Sequence, residues 1–201
     1  VKGEKIPPAA ALIQGRADHT AIEHSFKEKL STGEDAPVDD VKTVFAEEVD
    51  REIEEAGGAA EVDFGKKVSG KVARRKAAGE MKDSGIKLVT LYRMTECPPF
   101  VPEAVEEPFT LTVPGVPVEI EGRIDLVGRR VEHFFGQPEP TVGPLVIRDR
   151  KTSGKTLKTP ESEWRVQAGI YMLHRWLPHE WHLSVKTKEP KIVTPAFEEG
   201  L

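Results

Sequence analysis

The chain has 201 residues, 38% of them apolar and 31% charged, and a formal net charge of −5. That is enough for one domain, or one domain with a helical appendage, under a well-solvated surface. No apolar run approaches the ~20 residues that cross a bilayer and no charged-then-apolar leader is visible, so the sequence reads as soluble and intracellular. A single cysteine, Cys97, excludes an internal disulfide and cannot alone hold zinc or an iron–sulfur cluster.

Residues 1–10 form a proline-containing lead-in. The spacing Ile22, Phe26, Leu30 predicts a helix from about Gln14 to Leu30, ended by Ser31-Thr32-Gly33. Asp39-Asp40 then opens a second helix with Val41, Val44, Phe45, Val49 and Ile53 as its apolar stripe. Its outer face is acidic (Glu47, Glu48, Asp50, Glu52, Glu54, Glu55), and Gly57-Gly58 stops it. Residues 65–80 are basic (Lys66, Lys67, Lys71, Arg74, Arg75, Lys76) and helical in pattern, with a further helix over about Ser84–Thr95. The prolines from Pro98 to Pro108 break the helical region.

Beyond Pro108 the pattern changes to strands. Phe109–Val113 alternates, Pro114-Gly115 turns, and Val116–Val127 continues as a long strand. Gly128–Gly143 reads as a loop or irregular hairpin carrying Phe134 and Phe135. Leu145–Lys151 is a strand that begins apolar and ends charged. Helical spacing returns over Pro160–Trp176, and Trp181–Lys186 is a last strand. Helices first, then strands, a helix and a strand make an α/β (α+β) domain with a mixed central sheet. Residues 1–100 form the mainly helical region and 101–201 the core, the whole being one compact domain. The valine at position 1 and the ending Glu198-Glu199-Gly200-Leu201 read as the ends of a trimmed or partial chain.

The charge is unevenly spread. Residues 122–165 carry nine Lys/Arg against six Asp/Glu and net +3, so the remainder nets −8. A locally basic stretch in an acidic chain suits a protein that meets phosphate in one place.

That stretch also holds the residues with chemistry. In Gly122-Arg-Ile-Asp125 one acid ends a strand; in Val146-Ile-Arg-Asp149-Arg-Lys151 a second acid and a lysine end another. Side chains at i and i+2 of a strand share a face, so Asp149 and Lys151 are expected to emerge together. Two carboxylates at adjacent strand ends offer hard oxygen ligands for Mg2+ or Mn2+. Such an ion would neutralise a phosphoryl oxygen and acidify water, while Lys151 orients that water or stabilises charge at phosphorus. Asp-x-Lys is a frequent tripeptide, and taken alone it is better explained by a salt bridge at a sheet edge.

Order and context add to this. The sequence resembles the RecB-type exonuclease branch of the PD-(D/E)XK nuclease superfamily, which includes phage exonucleases and the CRISPR-adaptation nuclease. Four motifs carry the likeness in that branch's order: Gly15-Arg-Ala-Asp-His19, Gly122-Arg-Ile-Asp125, Asp149-Arg-Lys151 and Gln167-Ala-Gly-Ile-Tyr171. A following strand near Val185–Lys191 extends it. The resemblance implies a restriction-endonuclease-like core and a metal site of His19, Asp125, Asp149 and the Arg150 carbonyl, with Glu107 as a further candidate. It implies a catalytic set of Lys151, Asp149, Asp125, Gln167 and Tyr171. His19 also has a structural reading, since Glu23 lies one turn on, and His24 competes for its role. Many relatives hold an iron–sulfur cluster on four cysteines; with Cys97 alone, no cluster is expected within these residues.

The expected function is a Mg2+- or Mn2+-dependent deoxyribonuclease. An exonuclease on DNA ends or single strands is favoured, in recombination, repair or phage DNA processing, in the cytoplasm or a phage host's cytoplasm. DNA contacts are expected from Lys155, Arg165 and Arg123. The alternatives are a structure-specific endonuclease on the same core or a non-catalytic DNA-binding subunit. Ser153-Gly-Lys-Thr156 lacks the first glycine of a phosphate-binding loop, and His179-Glu-Trp-His182 lacks the i,i+4 pair of a zinc protease helix. The basic stretch Lys66–Lys76 reads as a solvated helix face before a DNA track.

Overall fold

The computed structural model describes residues 6–112, 117, 119–132, 139–153, 167, 170–171, 179–185 and 188–193, the backbone alone at 150–153 and over the last two stretches. Two compact units emerge: residues 1–25 with 36–94, and residues 26–35 with 95–201.

The first unit is helical. It holds α1 (Ala10–Thr32) up to Ser25, α2 (Val38–Ala56), a 3-10 turn at Ala59–Glu61 and α3 (Lys71–Thr95) up to Met94. Helix α2 buries Val41, Phe45, Val49, Glu52 and Ala56, a 3.6-residue stripe that continues through Glu52. The sequence pattern places Glu52 on the acidic outer face; the structure does not. Glu52 is buried because its position falls on the core stripe, and its carboxylate meets Arg16 Nη1 of α1 at 3.0 Å. Gly57, at φ 99°, ends α2 in the left-handed conformation that glycine adopts at least cost.

Helix α3 runs unbroken where the sequence suggested two helices. Gly79 and Gly85 lie within it. At Gly85 a Cβ would come within 2.0 Å of the Phe45 ring, so the glycine admits a close approach of α2 and α3 rather than a break. No helix among the described residues is long and apolar enough to cross a membrane.

The second unit is built on a five-stranded sheet in the order β1-β2-β3-β4-β5: β1 Phe100–Leu111, β2 Ile120–Glu132, β3 Thr141–Ser153, β4 His179–Val185 and β5 Lys188–Val193. β3 and β4 pair in parallel and the other neighbours are antiparallel. The sheet is therefore mixed, and the fold is α+β. β1 begins at Phe100, inside the proline-rich stretch. It is an edge strand, where proline's missing N–H is tolerated, and Pro102 flanks a register shift before Ala104. β2 runs past Gly128, and β3 begins at Thr141, so the expected loop between them is shorter; Phe134 and Phe135 lie outside the described residues. Phe109, Ile124, Val127, Ile147 and Tyr171 form a buried cluster in this unit.

Candidate metal centre

Register brings three acids into one row. The β1–β2 ladder runs without a shift from Ala104–Val127 to Leu111–Ile120, through Val105–Leu126 and Glu107–Ile124. Glu106 thus stands opposite Asp125, and a carboxylate oxygen of each lies within 4.8 Å of the other. The β2–β3 ladder reaches Leu126–Arg148; Asp125 and Asp149 are the next residues on either side of that rung. Glu106, Asp125 and Asp149 are therefore cross-strand neighbours on β1, β2 and β3.

Glu106 was missed in the sequence, where its neighbour Glu107 was the candidate. Glu107 is half-buried and pairs with Ile124. Glu106 also has φ 54°, a left-handed conformation that costs a non-glycine residue about 1–2 kcal/mol and tends to persist where function requires it.

Gln167 and Tyr171 are helical and stand one turn apart. Gln167 Nε2 donates to Asp149 Oδ1 at 3.4 Å and to Tyr171 Oη at 2.6 Å. Tyr171 in turn donates to the Arg123 carbonyl at 3.1 Å. One amide and one phenol thus connect the acid of β3 to the backbone of β2. Tyr171 packs edge-on against Phe109, with ring centroids 5.7 Å apart. Burial pushes its phenol up to about 12; the bond from Gln167 works against this, and the negative charges of Asp149, Asp125 and Glu106 add to it. All three acids therefore act electrostatically on this hydroxyl, which stays protonated and serves as a donor.

Gly122 has a packing reason. A Cβ there would stand 2.6 Å from the Phe109 ring, and Phe109 is the ring that supports Tyr171. Arg123 is exposed, with Nη1 3.6 Å from Glu106 Oε2. The backbones of Arg150 and Lys151 continue β3 beside His182 and Leu183 of β4. His19 belongs to α1 in the helical unit, with Nε2 3.9 Å from Glu23 Oε2. Lys155 and Arg165 lie outside the described residues.

The donor set of the row is oxygen from carboxylates, which suits a hard divalent ion such as Mg2+ or Mn2+. A family model of the PD-(D/E)XK nuclease superfamily matches residues 2–177. The chain belongs to the PD-(D/E)XK nuclease superfamily. As a PD-(D/E)XK protein it is placed among metal-dependent nucleases, hydrolases of phosphodiester bonds that take DNA as substrate. The five-stranded mixed sheet with its acids on neighbouring strands agrees with a PD-(D/E)XK core. No curated relative matches the chain. Among solved structures, that of SSO0001 matches at 13% identity and a TM-score of 0.33, covering 99% of this chain and 72% of that one.

Proposed function

We propose that this PD-(D/E)XK protein is a Mg2+- or Mn2+-dependent DNA exonuclease that acts on ends or single strands, in recombination, repair or phage DNA processing. The observation that carries the metal centre is the acid row Glu106, Asp125 and Asp149 on three adjacent strands. The exonuclease assignment and the biological setting rest on the motif order of the RecB-type branch.

In this reading Asp125, Asp149 and the Arg150 carbonyl hold the ion, joined by Glu106 from β1 and by the imidazole of His19. When bound, the ion supplies Lewis-acid stabilisation of phosphoryl charge and lowers the pKa of water. The chain's own groups do the rest. Lys151 orients the attacking water and stabilises the negative charge that builds on phosphorus. The water oxygen bonds to phosphorus in line, the phosphorus–oxygen ester bond opposite breaks, and the leaving oxygen is protonated. Gln167 and Tyr171 fix the Asp149 carboxylate through the bonds described above, and the neutral phenol donates rather than ionises. Arg123, Lys155 and Arg165 serve the DNA backbone as cations.

A structure-specific endonuclease would use the same centre, so substrate topology is the test. Purified protein with Mn2+ is given end-labelled linear DNA and covalently closed circular DNA. An exonuclease degrades the linear form and spares the circle. Cutting of the circle at a rate similar to the linear form overturns the exonuclease assignment in favour of the endonuclease.

A further inference from the structure

We propose that Arg148 is a positioning residue for the metal centre: its buried guanidinium locks β3 against β1 and β2 and so sets the height of Asp149 beside Asp125. The inference rests on the nuclease reading above and adds to it a residue that touches neither metal nor DNA.

Arg148 immediately precedes Asp149, and consecutive strand residues point to opposite faces of a sheet. Its side chain is 1% exposed, among the most completely buried in the described chain. The guanidinium carbon lies 3.9 Å from the centroid of the Phe100 ring, and Nη1 is 3.9 Å from Glu96 Oε2. The same Glu96 oxygen accepts a hydrogen bond from Arg130 Nη1 of β2 at 3.2 Å. One buried carboxylate is thereby shared by arginines from β2 and β3.

Phe100, the first residue of β1, is itself confined. Phe26 packs edge-on against it at 5.7 Å. Gly128 of β2 lies so close that a Cβ there would be 2.5 Å from the ring. The guanidinium thus rests on a ring that has little room to shift.

Stability does not explain this choice of residue. Taking a guanidinium out of water is costly, and replacing a buried ion pair with apolar groups of similar volume is often neutral or stabilising. A charge with fixed partners differs from an apolar side chain in direction. An apolar residue at 148 tolerates small slides of β3 past β2, whereas a guanidinium stacked on Phe100 and facing Glu96 is directional. A metal centre needs its ligands held to about 0.5 Å, and Asp149 is the next residue.

The test uses the full chain with Arg148→Met, which fills the volume and leaves Glu96 with Arg130, and Arg148→Lys, which keeps charge without the planar stack. Mn2+ affinity is measured directly on metal-free protein by calorimetry, DNA affinity in Ca2+, and kcat at saturating Mn2+. Arg148→Met is expected to stay folded by near-UV circular dichroism and to bind DNA within about twofold of the parent. Its Mn2+ affinity and its kcat should each fall about tenfold to hundredfold, the range for a partner that orients a metal ligand. Arg148→Lys should fail to restore them. If Arg148→Met does not fold, Glu96→Gln is the second variant and should weaken Mn2+ binding severalfold. Parental Mn2+ affinity in the folded variant, with a parent that binds and cuts, overturns this inference alone. A parent that neither binds Mn2+ nor cuts DNA overturns the nuclease reading and the inference with it.

Discussion

Tyr171 donates its hydroxyl hydrogen to the carbonyl of Arg123 across 3.1 Å, tying a helical residue to the strand two positions before Asp125. The same hydroxyl receives the Gln167 amide, which also donates to Asp149. The acids of β2 and β3 are therefore held together by two uncharged side chains as well as by the ladder.

Tyr171→Phe removes the bond to Arg123 and should cost about 0.5–1.5 kcal/mol of stability. Nuclease activity should fall by more than that loss explains, because Gln167 loses its second partner and Asp149 its fixed orientation. Chemical denaturation and turnover, measured on the same preparation, check this. Equal activity in the folded variant would show the chain of bonds to be dispensable.

The phenol also has a pH signature. Its folded pKa is raised to about 12 by burial first, with the neighbouring acids adding to it, against about 10 when unfolded. A group with a raised folded pKa contributes stability that is fully present below the unfolded value. That contribution is lost as pH rises through the folded one, so the window is about pH 10 to 12. Phenolate absorbance of Tyr171, taken as the difference between parent and Tyr171→Phe, should titrate in the upper part of that window. Titration near pH 10 in the folded protein would contradict the buried, acid-flanked placement.

The two adjacent acids of β1 should separate cleanly. Glu106→Gln is expected to weaken Mn2+ binding at least tenfold, a scale reached even by groups that only support a ligand, whereas Glu107→Gln should leave it within about twofold. Calorimetric Mn2+ titration of both variants decides between them, and a larger loss in Glu107→Gln would reverse the register argument.

Gly122→Ala should damage the site through packing. Its new Cβ meets the Phe109 ring at 2.6 Å, an overpacking worth about 1–3 kcal/mol, and displaces the ring on which Tyr171 rests. Phe109→Leu in the same chain makes room and should recover part of the stability. Melting temperatures of the single and double variants test the pair; a double variant less stable than Gly122→Ala would show that the clash lies elsewhere.

Asp125 and Asp149 were expected at strand ends, but β2 runs on to Glu132 and β3 to Ser153, so both acids stand within their strands; alternation gives the face of each and not where the strand stops. Glu106 was not legible in the sequence. Choosing between two consecutive glutamates needs the β1–β2 register, which follows from a shift near Pro102 and from pairing residues some twenty positions apart. Arg148 was hidden for a similar reason: in the sequence it reads as the charged end of an apolar run, while its partners Glu96 and Phe100 lie about fifty residues earlier. The mixed sheet followed from the order of helices and strands. The continuity of α3 did not: the pattern suggested separate helices over about 65–80 and 84–95, and α3 runs through the residues between them.

If the acid row, with Lys151 two residues beyond Asp149, makes a metal-dependent nuclease centre, removing either Asp149 or Lys151 stops cleavage. Mn2+-dependent degradation of end-labelled linear DNA by the parent, Asp149→Ala and Lys151→Ala tests it most directly. The parent should degrade the label only with the metal present, and both variants should stay folded and leave the DNA intact. Folded variants that degrade it at the parental rate would rule out a nuclease centre at these residues.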